Sequence, residues 1–405
     1  MRRAEAVAAA PARHLRVVPS EKRRAAVIDA AAARRTVGLL LAVTAFLTVG
    51  GIIMVLSASS VYACSTGSCF VFFERQSAYA VVGALAFLVT ARMRYPVWRR
   101  LAVPFLGAEV ILLLLLMHPA AIEVQGSARW IALGPVTIQP SELAKLASIV
   151  FSASLLSRRR RRPEDVSQVA LPLFGGIGIV AGLVFLQPDL GTTTVLVGTV
   201  AALLFVAGVR LRLLLIGGAT MGAVALATLK PYQWARITAF LHPQANRQDT
   251  AYQLSQSLIA LGSGGWLGVG LGASRQKWMY VPNAHTDFIF SILGEELGLI
   301  GEIVVLAAFG ALLFAGVRIA AKAPDAFGRL LASGIVSWFG IQIVVNLGAV
   351  TGLLPITGVP LPFLSYGGSS LVVSLAAVGI LVNVALAPAR AARRVRPPAP
   401  GRSAP

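Results

Sequence analysis

The chain has 405 residues, of which 57% are hydrophobic and only 13% are charged. An ordinary soluble protein carries roughly 25% charged residues, and the mean hydropathy here is +0.77. These values exclude a disordered chain and a conventional water-soluble enzyme, because one soluble core cannot bury so much apolar sequence. The formal net charge is +20. Nucleic-acid binding is not predicted, since the arginines form short clusters between apolar runs and no aromatic-rich basic domain accompanies them.

A series of apolar runs, each near the length of a membrane-spanning helix, predicts an all-α integral membrane protein with about ten transmembrane helices. The runs lie near residues 38–58, 76–91, 101–117, 141–157, 168–187, 190–208, 212–229, 287–317, 330–351 and 367–387. The eighth run exceeds the roughly 20 residues that a span needs. Its first part, through Gly298, is therefore predicted to be a separate interfacial or tilted segment.

The positions of Lys and Arg predict the sidedness of these helices. Basic segments on one side of the alternation hold 28 of the 36 Lys and Arg residues. They are residues 1–37, 92–100, 158–162, 209–212, 318–329 and 388–405. The positive-inside rule then places both termini in the cytoplasm. The predicted outside segments are residues 59–75, 118–140 and 230–286.

The composition divides the chain into three parts. Residues 1–37 form a basic arm and residues 389–405 a Pro/Arg-rich tail, and both are predicted to be disordered and cytoplasmic. Residues 38–388 form the membrane domain, whose large outside loop lies at residues 230–286, between helices 7 and 8. A connection of that length is usually functional or carries structure of its own.

The two cysteines of the chain, Cys64 and Cys69, both lie in the first outside segment. The outside is the oxidising side, and Gly67 between them supplies a turn for a small ring. A disulfide is therefore predicted, with two free thiols as the alternative. Two cysteines alone make no zinc site. Neither alternative is expected to bear on catalysis.

Polar residues within residues 126–147 lie at the predicted outer membrane edge. Trp130 is either an interfacial anchor or a functional residue. Glu142 and Lys145 lie one turn apart at the start of a predicted helix, which favours a local ion pair. In the alternative interpretation, Arg129 and Lys145 hold an anionic ligand.

The long outside loop combines a helical pattern with many glycines. Residues 252–261 predict an amphipathic helix, which includes Gln256. The glycine-rich stretch at residues 262–272 would let backbone amides approach a ligand closely. A nucleotide-binding fold is not predicted, because no strand–turn–helix unit surrounds the GVGLG sequence.

Asp287 lies where this polar loop meets the eighth apolar run. A carboxylate at that depth is costly unless it is paired or functional, and the alternative is a helix cap. His285 is interpreted as a polar neighbour rather than a proton carrier. Arg275 and Lys277 are nearby candidate cations. Residues 353–371, which contain three prolines and a Tyr-Gly-Gly-Ser-Ser turn, form either one wall of a site or plain helix packing.

Five strings, in this order along the chain, resemble the SEDS family, the proteins of shape, elongation, division and sporulation. They are GSARWIALGPVTIQPSELAKLA (126–147), QPDLGTT (187–193), AYQLSQSLIALGSGGWLGVGLG (251–272), NAHTDFIFSILGEELGLIG (283–301) and LPFLSYGGSSL (361–371). The resemblance covers about residues 38–388 and is closest to the division members, with the elongation members second. It implies a peptidoglycan glycosyltransferase that polymerises lipid II at the outer face of the bacterial cytoplasmic membrane, for septal wall synthesis.

The resemblance also implies roles for individual residues. The aspartate of the HTDF string, Asp287 here, is the expected catalytic residue. Substrate contacts are expected at Arg129, Trp130, Glu142, Lys145, Gln256, Lys277 and His285. One carboxylate that deprotonates the acceptor hydroxyl, with positive charge near the diphosphate, suffices because pyrophosphate leaves as an anion. No protein metal site or obligatory cofactor is predicted, while a divalent cation such as Mg²⁺ would be compatible with the diphosphate.

The partners that the resemblance implies are a class B penicillin-binding protein, which cross-links the new strand, and other divisome membrane proteins. Two other classes of function stay open. A lipid II flippase would suit ten spans with intramembrane polar residues, and a catalytically idle scaffold would only recruit the cross-linking enzyme. Within the family, an elongation polymerase is the alternative. The concentration of polar residues in outside loops, rather than at the membrane midplane, favours the transferase.

Overall fold

The computed structural model describes residues 20–65, 67–117, 129–133, 136–158, 166–241, 250–278, 280–282 and 284–394. Within these ranges the chain forms twelve helices and one two-stranded antiparallel hairpin. The elements are α1 (Ser20–Ser65), α2 (Val71–Arg92), α3 (Pro96–Leu115), β1 (Ile131–Leu133), β2 (Val136–Ile138), α4 (Pro140–Ser157), α5 (Val166–Leu186), α6 (Leu190–Val206), α7 (Leu211–Ala227), α8 (Pro231–Leu241), α9 (Thr250–Ser263), α10 (Ile289–Ala321), α11 (Ala326–Val350) and α12 (Gly368–Arg394).

Each predicted apolar run corresponds to one helix, α1–α7 or α10–α12, while α8 and α9 lie in the predicted long outside loop. Five helices in the described part of the chain are long and apolar enough to cross a membrane, namely α1, α2, α10, α11 and α12. Shorter apolar segments lie in α5, α6 and α7. The all-α membrane architecture is therefore confirmed in its coarse form, and the count of ten spans stays a prediction.

Helix α11 lies at the centre of the bundle, where it packs against α4, α6, α10 and α12. Its Trp338 is fully buried in the main apolar core, which α1, α10 and α12 share. A second apolar cluster fills the space between α3, α4, α5 and α6. Large apolar side chains such as Val89 and Leu215 remain exposed on the outer surfaces of the bundle, as expected of a protein that lipid solvates.

The predicted division of the eighth run is confirmed by a kink in α10. Gly298 has φ 66° and ψ −171°, so residues 289–297 and 299–321 form two helical segments. The glycine-rich loop packs against this kink so closely that a Cβ on Gly298 would clash with the amide nitrogen of Gly268. The amides of Val269 and Gly270 donate to the carbonyls of residues 295 and 296. The amides of Val269 and Gly270 therefore stabilise the fold, while ligand contact by the other amides of residues 262–272 stays a prediction.

Two predicted disordered segments are partly helical. Helix α1 begins at Ser20, within the arm, and α12 ends at Arg394, within the tail. The alanine-rich sequence on both sides explains this, because alanine has the highest helix propensity. Residues 1–19 and 395–405 lie outside the described residues, as do residues 118–128 and 242–249 of the predicted outside segments. Cys64 and Cys69 form the predicted disulfide.

Candidate active site

Asp287 lies two residues before the start of α10 and is half-buried. The hydroxyl of Thr286 donates a hydrogen bond to Asp287 Oδ1 at 2.8 Å. The Nδ2 of Asn346, on α11, donates to the backbone carbonyl of Asp287 at 2.8 Å. The backbone and the carboxylate are thus held separately, which fixes the position of the carboxylate.

Asp287 does not cap a helix, which corrects the second interpretation of this residue. The N-cap of α10 is Phe288, and no side-chain cap hydrogen bond is formed there. By contrast, Asp189 and Asp325 each accept a first-turn amide hydrogen bond, at the start of α6 and α11 respectively. The carboxylate of Asp287 therefore has no such role in helix formation.

The loop between α11 and α12, residues 351–367, forms one wall beside Asp287. Gly358 has φ 73°, and a Cβ at this position would lie 3.9 Å from Asp287 Oδ2. Asn346 also donates to the carbonyl of Val359 at 2.7 Å, which ties this loop to the same helix that holds Asp287. This part of residues 353–371 therefore lies beside Asp287, and its role as one wall of a site stays a prediction.

The electrostatic environment favours a proton-accepting role for Asp287. Burial raises the pKa of its carboxyl group above the ordinary value, while the Thr286 hydrogen bond and the positive charge of Arg236 on α8 pull the pKa down. The balance leaves the pKa raised, which makes the carboxylate a stronger base. Burial also lowers the pKa of His285 to about 4. The imidazole is therefore neutral near pH 7, in agreement with its interpretation as a neighbour rather than a proton carrier.

Lys145 and Glu142 form the predicted ion pair, and both side chains are buried. Lys145 Nζ lies 2.9 Å from Glu142 Oε1 and donates to Gln342 Oε1 at 2.9 Å. Trp338 Nε1 donates to the same Gln342 oxygen at 2.6 Å, and Lys145 Nζ lies 5.1 Å from the centre of the Trp338 ring. Gln342 Nε2 in turn donates to the carbonyl of Pro360. Of the two interpretations of Lys145, the structure shows the ion pair.

Arg129 acts on the turn between α5 and α6. Its guanidinium donates to the carbonyls of Gln187 and Pro188, at 3.2 and 2.7 Å. The start of α6, directly after this turn, packs against the loop at residues 351–367, since a Cβ on Gly191 would lie 2.6 Å from the carbonyl oxygen of Thr357. Arg129 therefore supports the loop beside Asp287 indirectly, because it binds the turn before α6 and the start of α6 packs against that loop.

The other predicted site residues lie in three different environments. Lys277 is buried, donates to the carbonyl of Gly272 at 2.6 Å and pairs with Glu296 Oε1 at 3.7 Å. Trp130 is half-buried directly before β1, and Gln256 is half-buried on α9. The structure thus does not gather all the predicted site residues around one point, because Lys277 belongs to the packing of the glycine-rich loop.

Sequence reasoning did not single out Thr286, Asn346, Gln342, Gly358 or Arg236. A partial signal existed for the two amides. Gln342 and Asn346 lie four residues apart within an apolar run, where an uncharged polar side chain needs a partner. No sequence signal indicates which backbone carbonyls they would bind.

The fold and the site together define a helical membrane protein with a half-buried carboxylate just before α10, beside the loop at residues 351–367. Residues 38–389 match the model of the FtsW, RodA and SpoVE family, described as "Cell cycle protein". The chain belongs to this family, which is the SEDS family that its sequence strings resemble.

Individual relatives agree with this assignment. The chain is 46% identical over 352 residues to a "Probable peptidoglycan glycosyltransferase FtsW" of Trichlorobacter lovleyi, which covers 85% of this chain and 92% of the relative. It is 44% identical over 352 residues to "Stage V sporulation protein E" of Bacillus subtilis, covering 85% and 96%. The FtsW division proteins are therefore among its near relatives.

Solved structures agree as well. A chain from work on the "structural coordination of polymerization and crosslinking by a peptidoglycan synthase complex" aligns with a TM-score of 0.72 at 32% identity, covering 85% of this chain and 96% of that chain. The crystal structure of the rod shape determining protein RodA of Thermus thermophilus aligns with a TM-score of 0.64, also at 32% identity, covering 85% and 95%. The helical bundle is thus the one found in these relatives.

Proposed function

We propose that this chain is a peptidoglycan glycosyltransferase of the FtsW type that polymerises lipid II, with Asp287 as its catalytic base. The observation that carries the proposal is the environment of Asp287. Its carboxylate is anchored by Thr286, faces the bare backbone of Gly358 and caps no helix. The names of its near relatives supply the reaction class.

The proposed reaction needs one base and one positively charged group. Asp287 removes the proton from the acceptor sugar hydroxyl as its oxygen bonds to the anomeric carbon of the donor. The bond between that carbon and the diphosphate oxygen breaks, and the lipid diphosphate leaves as an anion. A single carboxylate is sufficient because this leaving group needs little protonation, unlike the alkoxide in most glycoside hydrolysis.

Arg236 is better placed than Lys145, Lys277 or Arg129 to stabilise the leaving diphosphate. Lys145 and Lys277 are both buried in ion pairs, and Arg129 donates to backbone carbonyls. Arg236 lies half-buried on α8, and its charge acts on the Asp287 carboxyl. Within the described residues it forms no ion pair. Under this proposal Arg129, Glu142 and Lys145 support the substrate site indirectly, while Trp130 and Gln256 border it.

A divalent cation such as Mg²⁺ would share the diphosphate charge if it takes part. Across the described ranges, no three His, Cys, Asp or Glu side chains converge into a cage for a metal ion. Mg²⁺ commonly binds substrate phosphates with only one or two protein carboxylates. The proposal therefore assigns the cation to the diphosphate and no reaction step to it.

The proposed setting is the bacterial cytoplasmic membrane, at the division septum. The ten apolar helices would cross it with both termini inside and Asp287 at the outer face. The expected partners are a class B penicillin-binding protein and other divisome membrane proteins. The alignment with a chain of a peptidoglycan synthase complex supports a polymerase that works beside a cross-linking enzyme.

Polymerisation of purified lipid II in detergent tests the proposed activity. The full chain, alone and with its class B penicillin-binding protein, is expected to produce long glycan strands, which gel electrophoresis of labelled lipid II resolves. Detergent solution has no two sides, so a flippase or an idle scaffold would yield no strands. Failure of both preparations to yield strands would therefore contradict the transferase.

Cysteine labelling in cells tests the proposed topology. Leu267 in the glycine-rich loop is 78% exposed, and Arg158 at the end of α4 is also exposed. In a background that lacks Cys64 and Cys69, Leu267→Cys should react with an impermeant thiol reagent in intact cells whose outer layers are stripped. Arg158→Cys should react only after the membrane is permeabilised. The reverse pattern would place Asp287 on the wrong side for wall synthesis.

A further inference from the structure

Three aromatic rings surround His285, two residues before Asp287. The centre of the His285 ring lies 4.7 Å from that of Phe72, 5.5 Å from that of Tyr366 and 6.2 Å from that of Tyr62, which stacks nearly parallel to it. Tyr62 belongs to α1, Phe72 to α2 and Tyr366 to the loop before α12. These three rings, here called the aromatic clamp, bring distant parts of the chain together at the residue that precedes Thr286 and Asp287.

Backbone hydrogen bonds hold the clamp in place. The amide of Tyr366 donates to the carbonyl of His285 at 2.9 Å. On α2, the fully buried Gln76 donates through Nε2 to the carbonyl of Ser365 and accepts through Oε1 from the amide of Gly367. Helix α2 is therefore hydrogen-bonded to the residues on both sides of Tyr366, and the amide of Tyr366 is hydrogen-bonded to the backbone of His285.

The Cys64–Cys69 disulfide lies between the first two rings of the clamp. It links the last turn of α1 to the residues just before α2. Tyr62 is two residues before Cys64, and Phe72 is three residues after Cys69. The centres of these two rings lie 5.9 Å apart. Because the covalent link limits how far the ends of α1 and α2 can separate, it also limits how far Tyr62 and Phe72 can separate.

We propose that His285 is a positioning residue for Asp287, held by the aromatic clamp, and that the Cys64–Cys69 disulfide braces this clamp. The proposal rests on the proposed transferase function, and it assigns the disulfide a part in catalysis that the sequence did not suggest. The physical reason is that a reacting group displaced by about 1 Å can lose roughly 100-fold in rate. The imidazole of His285 acts as a flat, neutral ring that packs against the clamp, and it transfers no proton.

Substitutions at His285 separate positioning from proton transfer. His285→Phe retains a flat ring and should keep most of the wild-type kcat. His285→Ala removes the ring and should lower kcat by roughly tenfold to 100-fold, with the KM for lipid II nearly unchanged. Each variant is assayed as the full chain with its partner, well below its own unfolding midpoint, so that loss of folded protein does not enter kcat. A Phe variant as inactive as the Ala variant, or an Ala variant with wild-type kcat, would overturn the positioning role.

Reduction of the disulfide tests the brace. Cys64→Ser combined with Cys69→Ser should lower kcat in the same direction as His285→Ala, but by less. Dithiothreitol should lower the kcat of the wild type to the same level and leave that of the double variant unchanged. Equal kcat in the oxidised wild type, the reduced wild type and the double variant would refute the brace.

The wild-type protein separates failure of this inference from failure of the proposed function. If oxidised wild type with its partner makes no glycan strands, the transferase proposal fails and the role of the clamp fails with it. If the wild type makes strands and His285→Ala makes them equally fast, only the clamp is refuted.

Discussion

Helix α11 contributes one amide side chain to each of two polar sites, one around Lys145 and one around Asp287. The two sites differ in whether the charged group is neutralised by an ion pair. Gln342 and Asn346 lie one turn apart, and each amide donates at 2.7 Å to a carbonyl of the following loop, that of Pro360 and of Val359 respectively. Through Gln342 the helix contacts Lys145, and through Asn346 it contacts Asp287. The same helix therefore positions both charged groups against the same loop.

The two charged groups differ in what neutralises them. Lys145 is 1% exposed and paired with Glu142. Asp287 is half-buried, accepts a hydrogen bond from Thr286 and forms no ion pair within the described residues. A neutralised buried pair has no charge left for a substrate, whereas an anchored but uncompensated carboxylate retains its basicity. Under the proposed function, the Lys145 site therefore stabilises the fold, whereas the Asp287 site carries the chemistry.

The largest expected effect is on activity, at Asp287. Asp287→Asn keeps the size of the side chain and removes the base, so the rate of lipid II polymerisation should fall by at least about 100-fold. The thermal unfolding midpoint should stay close to that of the wild type, because burying an amide costs less than burying a carboxylate. Near-normal glycan strands from the purified variant would contradict the assignment of the base.

The next largest effect is on stability, at Lys145. Lys145→Met leaves the Glu142 charge buried without a partner, and the free energy of unfolding should fall by about 3–5 kcal/mol. The double variant with Glu142→Gln is the matched control and should recover most of the loss, since no unpaired charge remains. Thermal unfolding in detergent measures both. A stable Lys145→Met protein with a raised KM for lipid II would instead indicate diphosphate binding by Lys145.

A smaller effect is expected at Arg236, on both substrate affinity and pH dependence. Loss of a charge-assisted contact to the diphosphate costs about 1.5–3 kcal/mol, so KM for lipid II should rise roughly tenfold to 150-fold in Arg236→Gln. The Arg236 charge also lowers the pKa of Asp287. Its removal raises that pKa further, and because the base is active when deprotonated, the acid limb of the pH–rate profile should move to higher pH.

Arg275→Gln is the matched control for this experiment. Arg275 is an exposed arginine in the same outside loop. Its backbone amide donates a hydrogen bond to the Glu295 carboxylate, so that contact does not depend on its side-chain charge. Its substitution should leave both KM and the acid limb unchanged. Equal shifts in the two variants would mean that the general positive charge of the loop, rather than Arg236, acts on the site.

The smallest expected effect separates the two amides of α11. Asn346→Ala removes the donor to Asp287 and Val359, and should cost about 1–2 kcal/mol of stability together with a lower kcat. Gln342→Ala should cost similar stability, since it frees Lys145 and Trp338, while the kcat of the folded protein changes less. Stability curves and kcat values measured on both variants check this. A greater loss of kcat in Gln342→Ala would reverse the roles of the two sites.

Much of the site chemistry was predictable because it depends on local pattern. The three-residue spacing of Glu142 and Lys145 predicts an ion pair on one helix face, and the position of Asp287 at the edge of an apolar run marks a costly carboxylate. The pattern left the ligand role of Lys145 open, because Gln342 and Trp338 lie almost 200 residues away in sequence. The helix-cap alternative for Asp287 depended on the local start of α10, which the structure places one residue later.

The sequence by itself determined that this is a helical membrane protein, where its apolar helices lie, and that α10 divides at Gly298. The length of an apolar run, its helical periodicity and the position of a glycine depend only on residues that are close in sequence. They can therefore be recognised without any tertiary contact. Only the tertiary structure decided that Asn346 holds Asp287, that Gln342 closes the Lys145 pair, and that Tyr62 and Phe72 meet His285. Those contacts join helices far apart in the chain, and they depend on how whole helix faces pack, which no local pattern encodes.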